Sequence, residues 1–236
     1  MMKTINFAEV ATLMAIMVVV WLLWDTVLIL PLKILVVFFH ELSHGLMAIV
    51  TGGEVVRIEV VQQEGGLCVT RGGNRFLTLS AGYVGSLVWG GLLLVLAARS
   101  HFDRAVSASI GVLLIVATLL WVRPLISFGF IFGLAAGGTL LAVGYLLSHT
   151  ANDFLLKVIG LTSCLYALLD IKSDIFDRPH LNSDAAMMAA EYGLPTIFWG
   201  LLWAAIAMAC AMFFLSIACR REPQFRQFQE PSTPAD

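Results

Sequence analysis

Long apolar runs, each about the length of a membrane crossing, make up most of this sequence. Apolar residues account for 59% of the 236 residues and charged residues for only 13%, and the mean hydropathy is +0.90. In the hydrocarbon core of a bilayer, only helices and closed barrels satisfy all their backbone polar groups internally, and a helix needs about 20 apolar residues to cross it. The sequence therefore predicts a multi-pass integral membrane protein built from helices, and it excludes an ordinary soluble domain.

Seven runs can be recognised, and the polar breaks between them are compatible with six to eight. They cover residues 8–30, 32–50, 76–98, 106–122, 125–147, a sixth run from Asn152 to about residue 176, and 195–218. We expect an all-α fold of about seven transmembrane helices in one domain, residues 1–218. The polar residues 219–236 are expected to form a disordered tail.

The segment between the second and third runs has a different pattern. Charged residues are interspersed among Val and Ile over residues 54–61, a Glu-Gly-Gly turn follows at 64–66, and β-prone residues return at 67–70. This pattern predicts a β-hairpin over residues 54–71. The hairpin either offers an edge strand that aligns an extended substrate by main-chain pairing, or it is a plain connector.

The most specific motif lies inside the second run and reads His40-Glu41-Leu42-Ser43-His44. On a helix, His40 and His44 lie one turn apart on one face and can bind a zinc ion, while Glu41 can act as general base toward a zinc-bound water. His40 lies about 14 Å along the helix from Pro31, and His44 about 12 Å before Gly52. The motif therefore predicts a catalytic zinc site inside the bilayer, because ionisable groups at that depth are costly and mark functional cavities.

A catalytic zinc site of this type needs a third protein ligand and leaves the fourth position open. Asp170, near the end of the sixth run, is our prediction for that ligand because it is the deepest carboxylate there apart from Asp153 near the start of the helix. Asp174 shares its helical face and is the runner-up or a supporting residue. Asp184, which we also consider as a helix cap with Ser183, is the third choice.

Charge and cysteine content exclude other classes of function. The net charge of −2 and pI near 6.2 provide no basic surface, so no nucleic-acid partner is expected. The 14 Lys and Arg residues divide seven against seven between the two sides of a seven-span model, which favours neither membrane orientation. The four cysteines form no CxxC pair and are expected to be small core residues.

Several motifs together resemble the site-2-protease family of membrane-embedded zinc metallopeptidases, and more narrowly a small bacterial branch without PDZ domains. They are the sequences His40-Glu41-Leu42-Ser43-His44-Gly45, Thr51-Gly52-Gly53, Ala81-Gly82-Tyr83-Val84-Gly85 and Leu168-Leu169-Asp170. The resemblance implies His40, His44 and Asp170 as Zn²⁺ ligands, Glu41 as base, and a location in the bacterial plasma membrane. Residues 162–171 lack the Asn, the Pro and the following Gly that this family usually carries there, so no residue is assigned to stabilise the oxyanion.

The predicted function is that of a zinc metalloendopeptidase that hydrolyses peptide bonds in or near transmembrane segments. Its partners would be a membrane protein or peptide substrate and the lipid bilayer, and no pattern in the sequence specifies an oligomeric state. Two alternatives stay open: a metal-binding but proteolytically inactive scaffold or chaperone-like partner of membrane helices, and a metal-ion transporter. A transporter predicts polar residues stacked through the bilayer, and the third to fifth runs offer almost none.

Overall fold

The computed structural model describes residues 5–178 and 183–220. Within these ranges the chain forms α1 (Phe7–Leu22), α2 (Leu30–Val50), β1 (Glu54–Val61), β2 (Gly65–Arg71), α3 (Arg75–Arg99), α4 (Asp103–Trp121), α5 (Phe128–Leu146), α6 (His149–Lys172), α7 (Asp184–Tyr192) and α8 (Thr196–Ala218). A π-helical segment, Ser173–Asp177, continues α6. Of the predicted tail, only Cys219 and Arg220 belong to the described residues.

Six of the described helices are long and apolar enough to cross a membrane: α2, α3, α4, α5, α6 with its π-helical segment, and α8. The predicted fold class is confirmed, with six candidate membrane helices and a two-stranded antiparallel hairpin after α2. The first apolar run, residues 8–30, differs from the prediction. Its helix α1 has only 16 residues, and turns occupy most of the chain from Leu23 to Ile29 before α2 begins.

The two ends of the described chain lie together. The Asn6 amide donates to the Cys219 carbonyl over 2.8 Å, Ile5 forms an isolated bridge with Arg220, and Arg99 Nη1 donates to the Arg220 carbonyl. Arg99 is the last residue of α3, so both ends lie at that end of the bundle. An even number of crossings returns the chain to its starting side, so the six candidate spans agree with this pairing.

Helix α3 lies at the centre and packs against α2, α6 and α8. Its contacts with α6 run in reverse order, from Tyr83 beside Asp174 to Gly90 against Gly160, so the two helices are antiparallel. A Cβ at Gly90 would lie 2.6 Å from the Gly160 carbonyl oxygen, which explains the glycines at this close approach. Because α2 also runs antiparallel to α3, the motif helix and α6 are parallel, as alternation over these spans predicts.

The hairpin has the predicted extent and folds back along α2. Its register pairs Glu54 with Arg71 and Val61 with Gly65, with an irregularity between Val55 and Arg57. The outer edge of β1 meets the α4–α5 connection, where the Arg123 amide donates to the Ile58 carbonyl. The hairpin is therefore packed on helices, and β2 rather than β1 faces the interior cavity described below.

Buried contacts hold the tip of the hairpin. Lys33 Nζ lies 3.2 Å from Glu64 Oε1 and 4.8 Å from the centre of the Trp24 ring. The Tyr166 hydroxyl donates to the Glu64 carbonyl over 3.3 Å. The tip is thus tied to the start of α2, to the residues after α1 and to α6, which keeps β2 in place beside the motif helix.

Candidate metal centre

Helix α2 presents the three motif side chains on its buried side. His40, Glu41 and His44 are each less than a tenth exposed, and the two imidazole rings stand 4.8 Å apart at a steep angle. Gly82 of α3 lies directly against them, because a Cβ at this position would be 2.3 Å from His40 Nε2 and 2.5 Å from His44 Nε2. A glycine is therefore required where α3 crosses the two histidines.

Asp184 is the carboxylate that approaches both histidines. Its Oδ2 lies 3.1 Å from His40 Nε2 and 3.1 Å from His44 Nε2. The three ligand atoms lie within 4.8 Å of one another and all three residues are buried. Ligands in a tetrahedral zinc site stand about 3.3 Å apart when the metal–ligand bonds are about 2.0 Å, so two imidazoles and this carboxylate fit such an ion.

At the start of α7, Asp184 is not needed as the helix cap, so its side chain can face the histidines. The Ser183 side chain accepts the Ala186 amide and acts as the helix cap, so the neighbouring carboxylate is not needed there. Arg75 at the start of α3 pairs with Glu191 near the end of α7, over 3.0 Å. Helix α7 is thus held across the start of α3, with Asp184 directed at the histidines.

The outer ring nitrogens of the histidines have different partners. His44 Nδ1 donates to the Thr78 carbonyl over 2.6 Å, which leaves Nε2 without a proton in the neutral ring and available to a metal. His40 Nδ1 lies 3.9 Å from Asp170 Oδ2, which is beyond hydrogen-bond distance. Asp170 therefore stands behind His40, on the side away from Asp184.

The structure places the predicted ligand Asp170 and its runner-up Asp174 in one charged group. Arg178 Nη2 lies 3.5 Å from Asp170 Oδ1 and 3.3 Å from Asp174 Oδ1. The Tyr83 hydroxyl donates to Asp174 Oδ2 over 2.5 Å, and the Tyr83 ring packs edge-on against His40. Neither carboxylate belongs to the group of three that could hold a metal, because each is directed at Arg178 rather than at both Nε2 atoms.

Glu41 lies between the histidines and strand β2. The Cys68 amide donates to its carboxylate, and a Cβ at Gly66 would be only 2.4 Å from Glu41 Oε1. The absence of a side chain at Gly66 therefore lets the strand approach the carboxylate. Glu41 contributes none of the three ligand atoms that converge.

These residues line a cavity of about 470 Å³. Its walls come from α2, β2, α3, α6 and α7, and they include His40, Glu41, Gly66, Thr78, Asp170 and Asp184. A second cavity of about 630 Å³ adjoins it and shares four of its lining residues, Glu64, Tyr166, Asp170 and Arg178. The site thus has room for an extended peptide and for water.

Two residues that line the cavity and lie outside the spanning helices have shifted pKa values. Burial alone would raise the pKa of Asp184, but His44 and His40 outweigh it and hold that pKa well below its ordinary value. Burial, followed by the charges of Glu41 and Asp184, raises the pKa of the Cys68 thiol to about 12. Cys68 is therefore a protonated thiol.

Asp184 was our third choice from the sequence, and one signal could have raised its rank. Ser183 and Asp184 are both good caps, but a helix needs only one side chain at that position, so one of them was spare. The helix that they begin is α7. What no local pattern contained was the packing of α7 across α3.

Comparison with known proteins gives one match. A family model described as Peptidase M50B-like matches residues 12–214, which includes every helix from α2 to α7. No curated protein and no solved structure matches the chain.

Proposed function

Because the chain belongs to the Peptidase M50B-like family, within the site-2-protease family, we propose that it is an intramembrane zinc metalloprotease. Its substrates would be peptide bonds in or near transmembrane segments of other membrane proteins, in the plasma membrane of a bacterium. The observation that carries the proposal is the convergence of His40, His44 and Asp184 beside Glu41, which is not one of the three possible ligands.

His40 Nε2, His44 Nε2 and Asp184 Oδ2 would hold Zn²⁺. The fit rests on their mutual distances and on the bond from His44 Nδ1 to the Thr78 carbonyl. Asp170 is the alternative third ligand, and Asp174 comes after it. When bound, Zn²⁺ supplies the Lewis acidity that activates water and polarises the scissile carbonyl.

Glu41 would carry the protons of the reaction. Its carboxylate accepts a proton from the attacking water as the new carbon–oxygen bond forms, and returns a proton to the amine as the carbon–nitrogen bond breaks. The Cys68 amide holds the carboxylate in place. The products are a carboxylic acid and an amine, and Glu41 ends in its starting state.

Strand β2 would align the substrate. Its inner edge lines the cavity, while β1 occupies its other edge, so an extended peptide can add to β2 by main-chain pairing. The substrate helix must unwind locally for this, because a helical peptide bond is shielded by its own hydrogen bonds. The position of β2 on the cavity wall favours the aligning role of the hairpin over that of a plain connector.

The proposal is tested with purified protein in detergent, a labelled transmembrane peptide and a measurement of zinc content. We expect the wild-type protein to bind one zinc per chain and to cleave the peptide, Glu41→Gln to keep the zinc and lose cleavage, and His44→Ala to lose both. Cleavage by Glu41→Gln would contradict the assigned base. A zinc-loaded wild-type protein that binds the peptide without cutting it would support the inactive scaffold instead.

A further inference from the structure

Thr78 of α3 has a buried hydroxyl with no use in the fold. The residue is 4% exposed, lines the metal cavity and holds His44 through its backbone carbonyl. Its Oγ1 has no hydrogen-bond partner among the described residues. A buried hydroxyl without a partner is unfavourable, so its retention beside the motif requires an explanation.

Other hydroxyls of the same helix are satisfied locally. Ser80 Oγ donates to the Phe76 carbonyl over 2.9 Å, and Ser86 Oγ donates to the Gly82 carbonyl over 3.0 Å, each four residues back along α3. This is the usual arrangement for a hydroxyl in a helix. Thr78 does not use it, so its hydroxyl is an unpaired donor in a residue that lines the cavity.

Two other side-chain donors on the cavity walls are already engaged. The Tyr166 hydroxyl donates to the Glu64 carbonyl, and the Arg178 guanidinium is paired with Asp170 and Asp174. Thr78, by contrast, adjoins His44 directly and is unpaired. It therefore combines a position next to the reacting groups with a donor that the protein does not use itself.

We propose that the Thr78 hydroxyl donates a hydrogen bond to the scissile carbonyl oxygen as that oxygen gains negative charge during amide hydrolysis. This inference rests on the proposed proteolytic function. A fixed donor in a site shielded from water stabilises developing charge far more than it stabilises the neutral carbonyl, so its effect falls on kcat. Thr78 would then fill the oxyanion-stabilising role that residues 162–171 leave unassigned.

The kinetic test compares Thr78→Val, which removes the hydroxyl at constant shape, with Thr78→Ser, which keeps it. We expect Thr78→Val to lower kcat about 100-fold with KM and zinc content unchanged, and Thr78→Ser to stay within about tenfold of the wild type. Thr118→Val is the matched control, because Thr118 is a fully buried threonine whose hydroxyl donates to the Leu114 carbonyl in α4. Thr78→Ala provides a second variant without the hydroxyl if the valine does not fold.

A binding measurement provides a readout independent of turnover. A phosphinic peptide carries charged oxygens at a tetrahedral centre, as the reacting carbonyl does, whereas the parent peptide carries a neutral amide. In the Glu41→Gln background, we expect Thr78→Val to weaken binding of the phosphinic peptide about tenfold and to leave binding of the parent peptide unchanged. Equal weakening of both would assign Thr78 to substrate binding and overturn the inference.

The remaining outcomes are also decisive. An active wild type with unchanged kcat in Thr78→Val would overturn the role of Thr78 alone. Loss of zinc in both Thr78→Val and Thr78→Ala would show that the residue only supports His44. A wild type that binds zinc but cleaves nothing would overturn the proposed function, and the role of Thr78 with it.

Discussion

The two histidines of the motif are held from behind in different ways. His44 Nδ1 is fixed by a 2.6 Å hydrogen bond to the Thr78 carbonyl, whereas His40 Nδ1 faces the Asp170 carboxylate at 3.9 Å. A backbone carbonyl is a rigid partner, and a carboxylate on a neighbouring helix is one that can approach. On binding a metal, His40 is therefore the ring that can reorient, and Asp170 is the group that would support it.

Replacing each aspartate by asparagine distinguishes the roles of Asp170 and Asp184. We expect Asp184→Asn to weaken zinc binding by more than about 100-fold, because it removes a ligand, and Asp170→Asn to weaken it by about 10- to 100-fold, as supporting groups do. Competition with a zinc-binding dye measures both. Weaker binding in Asp170→Asn than in Asp184→Asn would identify Asp170 as the third ligand.

The sequence predicted those site residues whose positions depend on local periodicity. His40, Glu41 and His44 follow from spacing along one helix, since positions four apart share a face. The choice among Asp170, Asp174 and Asp184 depends on tertiary packing, because Asp184 lies on α7, 140 residues after His44. Depth along a helix favoured Asp170, but the docking of α7 decided the geometry.

At the scale of elements, the hairpin forms one wall of the site. Its β-branched residues and its Gly-Gly turn predicted its extent, since both are local signals. Its position was not predictable, because that depends on Gly66 against Glu41, on Gly45 against Val55, and on the buried pair of Lys33 and Glu64. A strand packed this closely takes the thiol of Cys68 out of water.

Alkylation of Cys68 measures this packing. An ordinary thiol with a pKa of 9.0 is about 10% thiolate at pH 8, whereas a pKa of about 12 leaves about 0.01%. In a variant with Cys68 as its single cysteine, we expect labelling by N-ethylmaleimide at pH 8 to be about a thousandfold slower in the folded protein than in denaturing detergent. The folded-state rate should rise about tenfold per pH unit between pH 8 and 11. Fast labelling of the folded protein at pH 8 would mean that β2 does not pack on α2.

At the scale of the whole molecule, the short helix α1 determines how many spans the chain is counted to have. Hydropathy reads residues 8–30 as one continuous span, because Val27, Leu28, Ile29 and Leu30 are as apolar as the helix before them. Hydropathy does not reveal that the chain turns after Leu22 and that α2 starts afresh at Leu30. The count of spans was therefore the least certain part of the sequence-based fold, while the order of α2 to α6 was predictable.

The membrane sidedness of the chain ends tests the six-span arrangement. We expect tags at the first and last residues to be accessible from the same side of sealed vesicles, because Asn6 and Cys219 are hydrogen-bonded. A cysteine at the exposed position Ile126, between α4 and α5, should react from the opposite side. Tags on opposite sides would mean that α1 crosses the membrane and that the spans number seven.

The position of Asp184 in the chain also affects the free energy of unfolding, through the conformational entropy of the unfolded chain. His40 and Asp184 are 144 residues apart, and the intervening chain includes the hairpin and helices α3 to α6. An ion held by α2 and α7 would close that segment into a loop. Closing a long loop removes many conformations from the unfolded chain, and the entropy lost grows only with the logarithm of the loop length. The metal would then act as a reversible cross-link that joins the beginning of the bundle to its last third.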